Sequence, residues 1–189
     1  MRRTKEEAMQ TRETILKAAA QIITRLGVNA FTIEAVAHEA GVTKGGVLHH
    51  FPSKEALLDG LIDQVMKSFR DRLTAAIEDE PTGQPGRWLR AYIRTIFSED
   101  YAHQNLLPAL AAAVAADHET LARIRRGMEE SQMEAIGDGL DPTTATIIRL
   151  AVDGFVFTKA FNVNVLDSET SQHVSDELLR LTSLVGIEP

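Results

Sequence analysis

Two short apolar runs separated by one glycine turn constrain this chain more than any other feature. Thr32 is a good N-cap residue, and Ile33, Val36, Ala37 and Ala40 follow it at helical spacing as far as Gly41. Thr43 caps a second short helix over about 44–50, which Phe51-Pro52 ends. Glycine readily takes the positive φ that a tight turn needs, and Val42 behind it is expected to point inward. The two helices then meet at the steep angle of a helix-turn-helix. Motifs of this kind lay their second helix in the major groove of DNA and their first across the backbone. Here the second helix offers Thr43 and Lys44 at its start, His49 and His50 at its end, and Gly45-Gly46 at its centre. Two glycines cost a helix about 1 kcal/mol each against alanine. A benefit elsewhere is expected, and close approach of the backbone to DNA is one. The alternative is a plain loop at Gly45-Gly46.

Helical periodicity extends over nearly the whole chain, with no strand alternation. A first helix over about 9–26 carries Ile15, Ala19, Ile22 and Leu26. Ser53 opens a long helix with Leu58, Leu61, Ile62, Val65, Phe69, Leu73 and Ile77 in one stripe. Residues 78–86 are the clearest break. Beyond them, helices are expected over about 86–99, 103–115 and 117–137. Asp141-Pro142 then starts a helix that is apolar on almost all sides to about 166. Ser168 precedes a last helix with Val174, Leu178, Leu181 and Val185. The expected fold is all-α with about nine helices. Residues 1–55 form a helix-turn-helix domain, the helix over 53–78 links it to the body, and residues 79–189 form a second helical domain.

Charge divides along the same line. The chain carries a net charge of −7, which alone argues against nucleic acid as a partner. Residues 1–55, however, hold eight Lys/Arg against six acids, leaving the rest strongly acidic. A mildly basic head on an acidic body fits DNA held at one end only. There is no cysteine, which excludes disulfides and thiolate metal sites. No apolar run approaches a membrane span, and no apolar stretch follows the basic start, so a cytoplasmic protein without a membrane partner is expected. His49-His50 reads poorly as a metal pair, because neighbours on a helix point about 100° apart and no third ligand stands at zinc-like spacing. Neither metal nor cofactor is expected.

The stretch from about Thr11 to Leu61 resembles the N-terminal domain of TetR-family regulators. The family pattern of a small residue, Val, Ser/Thr, any residue and Gly is met by Gly41-Val42-Thr43-Lys44-Gly45. Its His-Phe and Ser-Lys-Glu-x-Leu elements are met by His50-Phe51 and Ser53-Lys54-Glu55-Ala56-Leu57. Leu48 stands where the family commonly has Tyr, and Gly46 where Thr or a similar polar residue is frequent. These departures bear on operator sequence and affinity, not on the docking mode. The resemblance implies that Thr32, Thr43 and Lys54 contact phosphates and that His50 contacts the DNA backbone. It implies that Lys44 and His49 reach base edges or nearby phosphates, Lys44 being best suited to guanine acceptors. Gly45 and Gly46 would let the helix approach closely. Arg2, Arg3 and Lys5 would form an arm towards the minor groove.

The remainder has the length and helix count of the family's ligand-binding and dimerisation domain. Trp88, Tyr92, Phe97, Met128 and Phe155 are candidates for lining an effector pocket, although such a stripe is also what a plain core looks like. The helix from Pro142 is too apolar all round for one side of a small domain, and its small residues allow close packing. A second copy covering the exposed face is the simplest explanation. Ile148, Val152, Gly154, Val174, Leu178, Leu181 and Val185 are the expected contacts of a four-helix dimer seam. The function read from these features is a homodimeric, ligand-responsive repressor that binds double-stranded operator DNA and answers to an unidentified small molecule. The chain shows no phosphate loop, nucleophile triad or paired-acid motif, so it is not read as an enzyme. The competing reading is a helical adaptor that binds another protein through its apolar C-terminal helices.

Overall fold

The computed structural model describes residues 5–98, 118–161 and 163–183. Among the described residues it contains eight α-helices and one short 3₁₀ turn, with no strand. The chain divides into two compact units, Met1–Lys67 and Ser68–Pro189. The division falls inside a helix, whereas the break at 78–86 is folded into the second unit. The helix expected over about 103–115 lies outside the described residues, as do Val185, Arg2 and Arg3. Lys5 opens the first helix rather than an extended arm.

The first unit contains α1 (Lys5–Leu26), the turn Val28–Ala30, α2 (Ile33–Glu39), α3 (Lys44–His50) and the start of α4 (Lys54–Asp79). Its core is built from Ile15, Leu16, Ala19, Ile22, Phe31, Val36, Val47, Leu57 and Leu61, all essentially without solvent contact. Between α2 and α3, Gly41 sits at φ 65°. The Gly41 N–H donates to the His38 carbonyl at 3.2 Å and the Val42 N–H to the Ala37 carbonyl at 3.0 Å. This double closure is how helices end on a left-handed residue, and it leaves only two residues before the Thr43 cap of α3. Val42 is half-buried there. Gly60 in α4 answers a different demand: a Cβ there would stand 2.6 Å from the Phe51 ring and 3.2 Å from Leu16. Ring and helix backbone are packed as closely as atoms allow.

The second unit contains the rest of α4, then α5 (Arg87–Phe97), α6 (His118–Gly137), α7 (Pro142–Ala160) and α8 (Ser168–Leu181). Trp88, Leu89, Tyr92, Ile93 and Ile96 of α5 pack with Ala135, Leu140, Ala145, Ile148, Val152 and Leu178. Phe69, Leu73 and Ile77 of α4 lie against the same cluster. No side chain caps the start of α5 from within. Asp138 does so across space, accepting from the Trp88 and Leu89 N–H groups at 2.9 Å each. Carboxylates are favoured at that end of a helix.

The 78–86 segment is an ordered corner. Glu80 is only 3% exposed and accepts from Arg90 Nε at 2.8 Å and from Arg94. Arg87 meanwhile donates to the Glu80 and Ile77 carbonyls at the end of α4. Burying a carboxylate is costly unless hydrogen-bonding partners such as these surround it.

α7 stops at Ala160, earlier than the expected 166. The Val163 N–H turns back to the Thr158 carbonyl at 2.9 Å, and the Asn164 amide donates to the Leu166 carbonyl at 3.0 Å. Asparagine's local bonds to the backbone compete with a helix. Asp167 then caps α8, accepting from the Thr170 N–H at 2.7 Å.

Candidate nucleic-acid interface

The exposed side of α3 is built by local chemistry. Thr32 and Thr43 both have extended backbone, and their hydroxyl oxygens accept from the Ala35 N–H at 3.1 Å and the Gly46 N–H at 3.0 Å. A hydroxyl that accepts still has a hydrogen to donate, and both threonines are exposed, so each can offer it to an anionic oxygen. Val47 is fully buried and fixes the inner side of α3. Gly45 and His49 therefore fall on the side turned away from the core, with Leu48 beside them. All three are exposed.

The two glycines differ in their surroundings. A Cβ on Gly45 would have Thr43 Oγ1 as its nearest neighbour, at 3.9 Å, which is ordinary contact. A Cβ on Gly46 would press to 3.3 Å on that same hydroxyl. Neither glycine has positive φ. Nothing within the fold therefore requires a glycine at 45, and what its bareness provides is an unobstructed helix surface.

The cations around this surface are held in specific ways. Lys54 Nζ lies 5.5 Å from the centroid of the Phe31 ring, which steadies its stem at the start of α4. Arg12 stands over the Phe51 ring at 4.9 Å. His49 and His50 sit edge to face with centroids 5.4 Å apart, His49 exposed and His50 half-buried. Lys44 Nζ is 2.6 Å from Glu34 Oε1, an ion pair joining α3 to α2. The hydrogen bond from Lys44, then the residue's own backbone N–H, holds the Glu34 carboxyl below the usual carboxylate range. The sequence carries no sign of this pair; the charges are ten residues apart, outside the i,i+4 spacing that betrays a pair on one helix.

In the second unit, four of the five candidate pocket residues come together. Trp88 stacks on Tyr92 with centroids 4.9 Å apart, and Phe97 on Phe155 at 4.3 Å. Met128 does not join them; it is 45% exposed on α6. A polar network that sequence reasoning missed lies beside these rings. The Tyr92 hydroxyl donates to Asp153 Oδ1 at 2.6 Å, and Arg149 pairs with the same carboxylate. Arg149 Nε donates to Gln132 Oε1 at 2.5 Å, and Gln132 reaches Thr146 at 2.9 Å. The readable signal was Arg149 and Asp153, one turn apart in an otherwise apolar helix.

The candidate dimer contacts are mostly buried within the second unit. Ile148, Val152 and Leu178 lie in the core of the unit, and Val174 and Leu181 pack against it. They line the second unit's own interior: the inward side of α7 packs on α5 and α6, and α8 packs on α5. The outward side carries Ile147, Leu150, Phe157 and Phe161, each 48–60% exposed. Ala151 and Gly154 are exposed between them, and a Cβ on Gly154 would meet nothing within 4 Å. These six residues recur every three or four positions, so they form one apolar stripe along the helix. Among the described residues of the expected seam, Gly154 alone is on it.

Residues 15–61 match the family described as bacterial regulatory proteins, tetR family. Residues 86–183, just over half of the chain, match the tetracyclin repressor-like C-terminal domain. The chain belongs to the TetR family. It is 36% identical over 99 residues to the HTH-type transcriptional regulator TtgR of Pseudomonas putida, an alignment covering 52% of this chain. The chain spans about half the length of that relative, 47%. Its fold resembles SCO4454, a TetR-family transcriptional regulator from Streptomyces coelicolor, with a TM-score of 0.69 at 22% identity. That likeness covers 93% of this chain and 97% of the other. The multidrug binding protein EbrR complexed with malachite green has the same fold, with a TM-score of 0.65 at 21% identity. There the coverage is 90% of this chain and 97% of the other.

Proposed function

We propose that this protein is a homodimeric transcriptional repressor that grips operator DNA with α2 and α3 and changes its hold when an aromatic small molecule binds the second unit. The observation that carries the DNA reading is the pair of exposed threonine caps, Thr32 and Thr43, flanking a glycine-faced helix. Their hydroxyls and Lys54 serve phosphates, His50 supports the backbone contact, and Lys44 and His49 serve bases at the groove floor. The protein works in the cytoplasm, where operator DNA is reached. The apolar stripe on α7 favours a second copy as its cover, since it runs over four turns with small residues at its middle. Operator recognition by a twofold dimer needs its two α3 helices about 34 Å apart, one turn of B-DNA.

The effector reading is supported by the stacked rings at Trp88–Tyr92 and Phe97–Phe155 beside the Asp153 network, which together suit a flat molecule with a polar or cationic edge. EbrR, a multidrug binding protein of the same fold, forms a complex with malachite green, an aromatic cation. Binding transmits through α4, whose first part belongs to the first unit and whose end belongs to the second. By linkage, the effector weakens DNA binding only as far as it prefers the non-binding arrangement, typically about 1–3 kcal/mol.

The test uses duplexes enriched from a random-sequence pool by the full-length protein. Fluorescence anisotropy is expected to show binding at least about a thousandfold tighter than to a scrambled duplex. Equal affinity for both overturns the regulator reading. Gly154→Arg is expected to yield folded monomers by light scattering, and an unchanged dimer overturns the α7 seam. Malachite green is expected to release the enriched duplex; no response to it or to a broad aromatic screen removes the effector from the proposal.

A further inference from the structure

Lys44 is the cation best placed at the start of α3, and it is already occupied. Glu34 stands in the first turn of α2 and meets it at 2.6 Å, with both side chains more than half exposed. An ion pair this exposed contributes little to holding a fold together. What it does change is the charge that α2 and α3 jointly present. The pair is nearly neutral as a unit, and it joins the first turn of α2, which Thr32 caps, to the first residue of α3, which Thr43 caps; exposed charges act over roughly 10 Å at 0.1 M salt.

We infer that Glu34 is a positioning and selectivity residue for DNA: it holds Lys44 back from phosphates and releases it only to a base edge that offers more than one acceptor. The inference rests on the DNA-binding reading above. Where no guanine stands opposite Lys44, only phosphate oxygens are left for it to turn to, and Glu34 is then left unpaired next to other phosphates. Guanine offers O6 and N7 together, a better exchange. Glu34 therefore penalises binding to every sequence, and penalises the wrong sequence more. The gain lies in the ratio of specific to non-specific affinity, the quantity that matters in a genome full of competing sites. Holding the Nζ in place before encounter also fixes where along α3 that one reading contact is made.

Glu34→Gln keeps the shape of the side chain and removes its charge. With the enriched and scrambled duplexes and full-length protein, E34Q is expected to bind scrambled DNA about three- to tenfold more tightly at 0.1 M salt. Its log-affinity against log-salt slope is expected to steepen by about one. The enriched duplex gains less, so discrimination narrows. In a Lys44→Gln background the same change is expected to raise affinity for both duplexes alike, by relief of charge repulsion, and to leave discrimination as it was, because discrimination passes through the lysine; Glu34→Asp, which keeps the charge, restores discrimination in part. Thermal melting should be nearly unchanged by E34Q, which separates the effect from folding. The inference is overturned if E34Q leaves slope and discrimination as they were. It is equally overturned if E34Q narrows discrimination as much without Lys44, since selectivity then does not pass through the lysine. Wild-type protein that fails to prefer the enriched duplex sinks the DNA-binding reading itself, a separate result from a selective wild type and a neutral E34Q.

Discussion

The two units solve the same problem, satisfying polar groups at helix ends and in the core, over different distances along the chain. In the first unit, Thr32 serves Ala35, Thr43 serves Gly46 and Ser53 serves Ala56, each three residues on. In the second, Asp138 serves Trp88 and Leu89 from about fifty residues away, and Tyr92 finds Asp153 sixty-one residues on. Asp141 and Asp167 show that local caps occur in the second unit too. Its interior, however, is held by long-range partners. A helix-turn-helix has to present one surface with fixed geometry, and short-range bonds suffice for that. A domain built around a core of mixed rings and charges depends on meetings between distant segments.

That contrast can be broken most forcefully at Glu80. Glu80→Ala leaves Arg90 buried without its carboxylate, a loss of about 3–5 kcal/mol in comparable sites. Trp88 is the one tryptophan of the chain and sits in this core. Its fluorescence in a denaturant titration should show the second unit unfolding at much lower denaturant. A midpoint shifted only slightly means that the corner at 78–86 is incidental to the second unit.

A smaller effect is expected in the first unit from Gly60→Ala. The added methyl must displace the Phe51 ring or α4, at a cost of about 1–3 kcal/mol. Hydrogen exchange of α1 and α4 amides reads this loss, which should spare the amides of α7. Equal loss of protection in α7 denies the units their separate stabilities.

The smallest effect sharpens the argument about α3. Gly45→Ala has room for its Cβ and should stabilise the first unit by about 0.5–1 kcal/mol in thermal melting. The same variant should bind enriched DNA more weakly, because the methyl stands where the helix approaches the groove. Stabilisation with unchanged DNA affinity would show that the glycine's bareness is not used by DNA.

Much of the first unit was legible. Thr32, Gly41, Val42, Thr43 and Phe51-Pro52 each act within a few residues, so their order along the chain is also their geometry. The residues expected to meet DNA share one unit for the same reason. The pairing of Lys44 with Glu34 was not legible, since it depends on how α2 crosses α3. In the second unit, helix existence was readable from periodicity, while the orientation of each helix was not. A segment apolar on almost every side, such as α7, carries no marker of which side is inner. Ile148 and Val152, expected at a seam, are covered by α5 and α6, while Ile147, Leu150 and Phe157 are the exposed ones.

The sequence by itself determined the all-α fold class, where α3 begins and ends, and which residues that helix carries. Caps, turns and apolar spacing act through a handful of bonds between near neighbours, so no distant segment is needed to specify them. Only the tertiary structure decided that Glu80 is buried among arginines, that Asp138 caps a helix it does not belong to, and which side of α7 is left bare. Those outcomes depend on which helices meet, and desolvation then makes each unpaired charge too costly to remain without a partner.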